Sequence, residues 1–101
     1  GRVDTVIDSG GLKLHPEVLE HALMAVRGVD AAVVVGVPDE RLGQAICAVY
    51  LGALSPAEVV EALDDVPRWQ LPKHLLRVDS VPVTGPGKPD RQAVVRLFME
   101  S

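Results

Sequence analysis

The sequence predicts an α+β fold in which helices pack on a small mixed sheet. Two continuous apolar runs rich in valine and isoleucine, at 29–37 and 45–51, are typical of adjacent buried strands, and a polar turn starting at Pro38 is predicted between them. Stretches with apolar residues at helical spacing lie before, between and after the predicted strands. We therefore predict about three sheet strands with an N-terminal hairpin, flanked by about three helices that bury their apolar stripes on the sheet.

The N-terminal stretch 3–14 predicts two short strands around a turn. Gly10 and Gly11 lie between its apolar positions, and a glycine pair can adopt the positive φ angles of a tight turn. Pro16 suits the first position of a helix, and apolar residues recur at helical spacing until Gly28 supplies a stop. A hairpin followed by one amphipathic helix is expected.

The second half of the chain contains two helix starts and one further strand. Residues 55–58 read Ser-Pro-Ala-Glu, a capping box with proline at the first helical position. Residues 75–78 are mostly apolar and predict a third sheet strand, while Asp90 can cap a last helix. Between them, residues 80–89 contain three prolines and two glycines, which predicts a loop that holds Lys88 on a semi-rigid, extended backbone.

Length and composition narrow the class of protein. A chain of 101 residues is expected to form one domain, with a globular balance of 48% hydrophobic and 24% charged residues. A net charge of -4 with 3% aromatic residues argues against a nucleic-acid partner. No apolar run approaches the roughly 20 residues that span a bilayer, and no leader opens the chain, so a cytoplasmic location is expected.

Cysteine and histidine give no sign of a nucleophile or a metal site. Cys47 is the single cysteine and lies in an apolar run, where a small buried hydrophobe is the expected role. His15, His21 and His74 lack metal-ligand spacing and are expected at the surface.

Three motifs, in the same order and at similar spacing, resemble those of a known family. Residues 1–20 read GRVD and then SGGLKLHPEVLE, residues 36–44 include GVPD and GQ, and residues 82–91 read PVTGPGKPDR. They are similar to the G-R-x-D…S-G-G-x-K-x-x-P-x-E-[VI]-E, V-x-G-x-P-D…G-[EQ] and P-x-T-x-x-G-K-x-x-R motifs of the C-terminal domain of AMP-forming acyl-CoA and aryl-CoA synthetases. The resemblance covers the whole chain and implies that 1–101 is the single C-terminal lid domain of a larger ligase, without the large N-terminal ATP-binding domain.

The resemblance implies a part in a two-step reaction. The complete enzyme would join a small carboxylic acid to AMP, using ATP with Mg²⁺, and then transfer the acyl group to CoA as a thioester. The lid would supply the catalytic lysine, Lys88. A fixed cation beside the reacting carboxylate and α-phosphate relieves roughly 4 kcal/mol for each close charge pair at an effective dielectric near 20. The isolated chain is expected to be inactive and to bind no cofactor by itself, because the substrate pockets belong to the N-terminal domain.

Two positions near the start of the chain also correspond to family motifs. Asp4 matches the hinge between the large domain and the lid, although an aspartate in a turn or a helix cap would explain it without function. Arg2 would lie near the nucleotide, and its alternative is a solvated surface charge.

The remaining predicted site residues lie in the hairpin and around the lysine loop. Gly10 and Gly11 would face the CoA pantetheine arm, in addition to any role as turn glycines. Lys13 would face either the CoA phosphates or water. Thr84 and Arg91 would hold the Lys88 loop in shape. Pro89 departs from the family, which usually has an apolar or β-branched residue there, and puts the local strand pairing in doubt.

Several functional alternatives share these motifs. The sequence SGG at 9–11 favours CoA over the carrier proteins served by peptide synthetase adenylation domains. A luciferase-like enzyme, or a binding module of the same fold without catalysis, would also fit, although a pure binding module has no need of Lys88. The short connection 52–54 resembles o-succinylbenzoate:CoA ligases of menaquinone biosynthesis.

Overall fold

The computed structural model describes residues 6–100 of the chain. Arg2 and Asp4, two of the predicted site residues, lie outside the described residues.

The α+β class is confirmed, with helices and a small sheet in the predicted order. The 3₁₀ turn before the last strand was not predicted. In chain order the elements are β1 (Ile7–Ser9), β2 (Leu12–Leu14), α1 (Pro16–Met24), β3 (Val29–Asp39), β4 (Gly43–Gly52), α2 (Pro56–Ala62), the 3₁₀ turn (Arg68–Gln70), β5 (His74–Arg77) and α3 (Arg91–Met99).

Strand β4 is the centre of the sheet, which is mixed as predicted. It pairs antiparallel with β3 along its whole length and parallel with β5. The β1–β2 hairpin joins the sheet through one antiparallel pair, Ser9 with Gly43. The hairpin therefore lies at the start of β4, whereas the chain leaves β5 near Tyr50, toward the other end of β4.

The helices cover both faces of the sheet and enclose two apolar clusters. Helices α1 and α2 cover one face, where the largest buried side chains include Tyr50, Leu19 and Leu23. Helix α3 covers the other face through Val94, against alternating residues of β3 and β4 that include Cys47. Because successive residues of a strand point to opposite faces, the two apolar runs supply both clusters at once.

The predicted helix starts are confirmed in detail. The Ser55 hydroxyl accepts from the Glu58 N–H at 3.3 Å, and the Glu58 carboxylate accepts from the Ser55 N–H at 2.9 Å. The Asp90 carboxylate accepts from the Ala93 N–H at 3.1 Å at the start of α3. These side chains satisfy backbone donors that a helix end leaves unpaired.

The turn between the two long strands is shorter than predicted. The sequence indicated a turn starting at Pro38, but β3 continues through Pro38 and Asp39, which pair with Gln44 and Gly43. A proline has no N–H to donate, and an edge strand such as β3 tolerates this loss.

A close backbone contact between Gly28 and Gly52 joins the start of β3 to the end of β4. Gly52 has a φ of 156°, and a Cβ atom there would overlap the Gly28 carbonyl oxygen. That oxygen accepts a hydrogen bond from the Ala53 N–H at 3.0 Å, so it has little freedom to withdraw. A side chain at Gly52 would therefore separate the strands.

Gly52→Ala is expected to destabilise the chain by about 1–3 kcal/mol, the usual cost of forcing extra atoms into a packed site. Urea unfolding of the 101-residue chain measures the loss. Gly85→Ala is the matched control, because no atom lies within 4 Å of its added Cβ. Equal midpoints for the two variants would contradict this account of the contact.

Candidate functional site

The loop that carries Lys88 is a small hairpin held by backbone hydrogen bonds. The Asp90 N–H donates to the Pro82 carbonyl at 2.9 Å, and the Thr84 N–H donates to the Lys88 carbonyl at 2.8 Å. The Gly87 N–H closes the tip by donating to the Thr84 carbonyl at 2.8 Å. Lys88 therefore has a defined backbone position although its side chain is exposed.

Lys88 forms no ion pair within the described part of the chain. Residues 6–100 form two ion pairs, Lys73 with Asp39 and Arg91 with Glu20, and Lys88 belongs to neither. An exposed ammonium on a braced loop can reach a negative group on another surface, and no neighbouring carboxylate has to be displaced first.

Pro89 does not disrupt the loop. It forms an antiparallel bridge with Val83, in spite of the doubt raised by the sequence. The bonds on either side of this bridge come from the N–H groups of Asp90 and Thr84, so the N–H that proline lacks is not needed.

The two residues predicted to hold the loop have different positions. Thr84 contacts Lys88 directly, since its N–H and its hydroxyl, at 3.4 Å, both point to the Lys88 carbonyl. Arg91 forms no such contact with the loop tip, because its guanidinium points to Glu20 and to the backbone of Val34. Arg91 therefore acts at the foot of the loop and on the start of α3.

Glu20 is a residue of this site that the sequence reasoning missed. Its carboxylate accepts from Arg91 at 2.8 and 3.3 Å and from the Val34 N–H at 2.8 Å. Glu20 lies next to the buried Leu19 in α1 and is the last residue of the first family motif, which was the available signal, although no role was predicted for it.

The glycine pair forms the turn of the β1–β2 hairpin, as predicted. Gly10 and Gly11 have φ values of 62° and 87°, a region that side chains disfavour. The Gly10 N–H donates to the Leu42 carbonyl at 2.8 Å, which seats the hairpin on the β3–β4 turn. No atom lies within 4 Å of the point where a Cβ atom would stand on Gly11, so the backbone of Gly11 is open to an approaching ligand. Lys13 is exposed, and its backbone lies opposite that of Asp8 in the register of the hairpin.

Two side chains support the surface on which the hairpin rests. The Asp39 carboxylate accepts from the N–H groups of Arg41 and Leu42, both at 2.9 Å, and from the Lys73 ammonium at 2.8 Å. The Lys73 hydrogen bond, followed by the Leu42 N–H, lowers the pKa of Asp39 to about 2. The Gln44 amide oxygen accepts from the Asp8 N–H at 2.8 Å and so ties β1 to β4.

The predicted site residues form two separate patches. The hairpin with its two glycines lies at the Gly43 end of β4, and the foot of the Lys88 loop lies beside Leu51 near the other end. Gly43 and Leu51 lie about 26 Å apart along the strand, so one ligand atom cannot contact both patches at once.

The cysteine is buried and the histidines lie at the surface, as the sequence predicted. Cys47 is fully buried, and burial raises the pKa of its thiol to about 11, which disfavours a nucleophilic thiolate. All three histidines are exposed.

Among residues 6–100 no group of three histidine, cysteine or acidic side chains could hold a metal ion. None of the helices in this part of the chain has the length and apolar character needed to span a lipid bilayer.

Comparison with known proteins identifies the family. The family model described as the AMP-binding enzyme C-terminal domain matches residues 18–88. The chain therefore belongs to the AMP-binding enzyme C-terminal domain family.

Individual relatives agree with this assignment. The chain is 37% identical over 103 residues to the uncharacterized acyl-CoA ligase YhfT of Bacillus subtilis, covering 100% of this chain and 21% of that protein. It is 31% identical over 98 residues to bacitracin synthase 3 of Bacillus licheniformis, covering 93% of this chain and 2% of that protein. Apo MatB of Rhodopseudomonas palustris superposes with a TM-score of 0.92 at 26% identity, over 99% of this chain and 21% of MatB. The chain thus spans about a fifth of YhfT and of MatB.

The lowered pKa of Asp39 makes a pH-dependent contribution to stability. A depressed carboxyl pKa stabilises the fold above the unfolded value of 3.8, and the contribution is lost as the pH falls through the folded value of about 2. Wild type is therefore expected to be more stable than Asp39→Asn at pH 6, with the difference disappearing between about pH 4 and pH 2.

Urea unfolding of both chains across this pH range measures the difference. Subtracting the two curves removes the contribution of Glu58, whose pKa is also lowered by its hydrogen bonds to Ser55. Glu40→Gln, a neighbouring exposed residue, is the control and should show no such pH dependence. A difference that stays constant down to pH 2 would contradict the role given to the Asp39 carboxylate.

Proposed function

We propose that this domain is the lid of a carboxylate:CoA ligase, and that Lys88 is its catalytic residue in the first half-reaction. The complete enzyme would form an acyl-adenylate and pyrophosphate from a carboxylic acid and ATP with Mg²⁺. It would then transfer the acyl group to the thiol of CoA. The partner of the lid in both steps would be the large ATP-binding domain of the same polypeptide.

The observation that supports the proposed function most strongly is the exposed position of the Lys88 ammonium, which is unpaired among the described residues. Its ammonium is exposed, lies outside both ion pairs formed by residues 6–100, and stands on a hairpin braced by its own backbone. When an acid attacks ATP, an anionic oxygen approaches an anionic phosphate. A preorganised cation stabilises the charge that develops in this transition state, and it costs little reorganisation at the moment of reaction.

The second patch suits the second half-reaction. Gly10 and Gly11 lie at an exposed turn, and the backbone of Gly11 has open space beside it, which suits contact with the narrow pantetheine arm of CoA. Lys13, exposed on the adjoining strand, would face the CoA phosphates. Because the two patches lie near opposite ends of β4, the lid would have to rotate on the large domain between the steps.

The hinge for this rotation is proposed at Asp4, within the GRVD motif. A hinge needs a residue at the end of an element that can absorb a change in its dihedral angles. Arg2 in the same motif is proposed to contact the nucleotide.

The acceptor of the acyl group is proposed to be CoA. The SGG turn and the relative described as an acyl-CoA ligase favour it. The likeness to bacitracin synthase 3 keeps a peptide synthetase lid as the second candidate. Supplying the complete enzyme with CoA or with a carrier protein distinguishes the two acceptors.

In the complete enzyme, Lys88→Ala is expected to slow adenylate formation by about 100- to 1,000-fold, the usual cost of removing one preorganised charge-stabilising group. Pyrophosphate release in a single turnover measures this step. Thioester formation from a supplied acyl-adenylate should remain near the wild-type rate, since another patch of the lid serves that step.

The 101-residue chain alone is the blank for this assay, and it should release no pyrophosphate. An equal loss in both half-reactions would show that Lys88 is structural. An unchanged adenylation rate would favour the non-catalytic binding module.

Asp4→Pro tests the hinge in the complete enzyme. Proline fixes φ near -65°, so it should allow only the conformation that matches this angle. We expect adenylate formation to continue while thioester formation falls by at least about tenfold, so that adenylate accumulates on the enzyme. Asp4→Ala removes the carboxylate but leaves the backbone free, and should retain both steps. Wild-type turnover by Asp4→Pro would place the hinge elsewhere.

A further inference from the structure

The outer edge of β3 is closed by two side chains at Val34. Strand β3 borders the sheet, and the N–H and C=O of Val34 bond to side chains outside the sheet. Glu20 Oε2 accepts from the Val34 N–H at 2.8 Å, and Arg91 Nη1 donates to the Val34 carbonyl at 2.7 Å. Arg91 Nη1 also donates to Glu20 Oε2 at 2.8 Å, which completes a ring of peptide, carboxylate and guanidinium.

This ring, which we call the edge clamp, joins three elements. Glu20 belongs to α1 on one face of the sheet, Arg91 begins α3 on the other face, and Val34 lies between them in β3. The side chains of Glu20 and Arg91 are 12% and 33% exposed, so the pair is only partly solvated. Removing one partner would leave the other charge unpaired in that setting.

The clamp lies directly at the foot of the Lys88 loop. Asp90, the residue before Arg91, closes the loop through its N–H and caps α3 through its carboxylate. A shift of Arg91 must move Asp90, and with it the strand of the loop that contains Lys88. The clamp thus fixes where the base of the loop stands relative to the sheet.

The rest of α3 has its own anchor. Val94 is fully buried in the second apolar cluster, and Val95 and Phe98 pack against that cluster. Helix α3 should therefore stay docked when the clamp is lost, and the change should concentrate in its first turn and in the loop.

We propose that Glu20 is a positioning residue for adenylate formation: through Arg91 it sets the place of Lys88. This inference rests on the proposed function. Glu20 touches no reacting atom in this scheme, and its effect passes through the edge clamp alone. Its removal should therefore affect the half-reaction that uses Lys88 and spare the one that uses the hairpin.

In the complete enzyme, Glu20→Gln is expected to slow adenylate formation by about 10- to 100-fold, since a misplacement near 1 Å can cost about 100-fold. The rate of thioester formation from supplied acyl-adenylate should stay within about twofold of wild type. Glu17→Gln is the matched control, because it removes the same charge from an exposed position of the same helix. It should leave both rates unchanged.

A double variant separates positioning from general destabilisation. If Glu20 acts through Lys88, adding Glu20→Gln to Lys88→Ala should cost little more than Lys88→Ala alone, because both changes remove one effect. Multiplicative losses in the double variant, or equal losses in both half-reactions, would overturn the proposal.

Arg91→Lys gives a second route to the same answer if Glu20→Gln folds poorly. Lysine keeps the charge but cannot bond the Glu20 carboxylate and the Val34 carbonyl with a planar fork. It should also slow adenylation selectively, and an unchanged adenylation rate would overturn the proposal. If Lys88→Ala itself leaves adenylation unchanged, the proposed function fails. If Lys88→Ala slows it but neither clamp variant does, only this inference fails.

Discussion

The salt bridge between Glu20 and Arg91 is the interaction that ties the foot of the lysine loop and the first turn of α3 to α1 and β3. The helices pack on both faces of one sheet through two apolar clusters, and this ion pair adds a polar link between α1 and the start of α3 across the sheet edge. Here one carboxylate and one guanidinium meet at the outer peptide of β3 and bond to it from both sides. The same contact removes two unpaired backbone groups from an edge that could otherwise pair with another strand.

The two patches are supported by similar means at different places. One ion pair supports each patch. Glu20 with Arg91 lies at the foot of the lysine loop, and Asp39 with Lys73 supports the turn on which the glycine hairpin rests. In both cases the carboxylate also accepts backbone N–H groups, so it fixes the chain as well as the opposite charge. The exposed groups at the tips, Lys88 and the glycine turn, are thus left available for a ligand or a neighbouring domain.

The sequence predicted the elements well because their signals are local. The capping box at Ser55, the cap at Asp90 and the glycine turn each depend on residues within a few positions of one another, and the structure forms all three. The edge clamp joins residues 71 positions apart, so no local pattern could reveal it. For the same reason Arg91 was assigned to the loop beside it in sequence, whereas its contacts lie on α1 and β3. Pro38 misled the turn prediction because strand pairing at an edge outweighed its usual preference.

Both apolar clusters contain residues that lie between the start of β1 and the end of α3, and no polar or charged residue among residues 6–100 is fully buried. The fold can therefore be handled as a cassette: a junction placed ahead of β1 would cut through neither cluster. Exchange of such cassettes between members of this domain family would transfer the lysine loop, the glycine turn and both supporting ion pairs together, already aligned with one another.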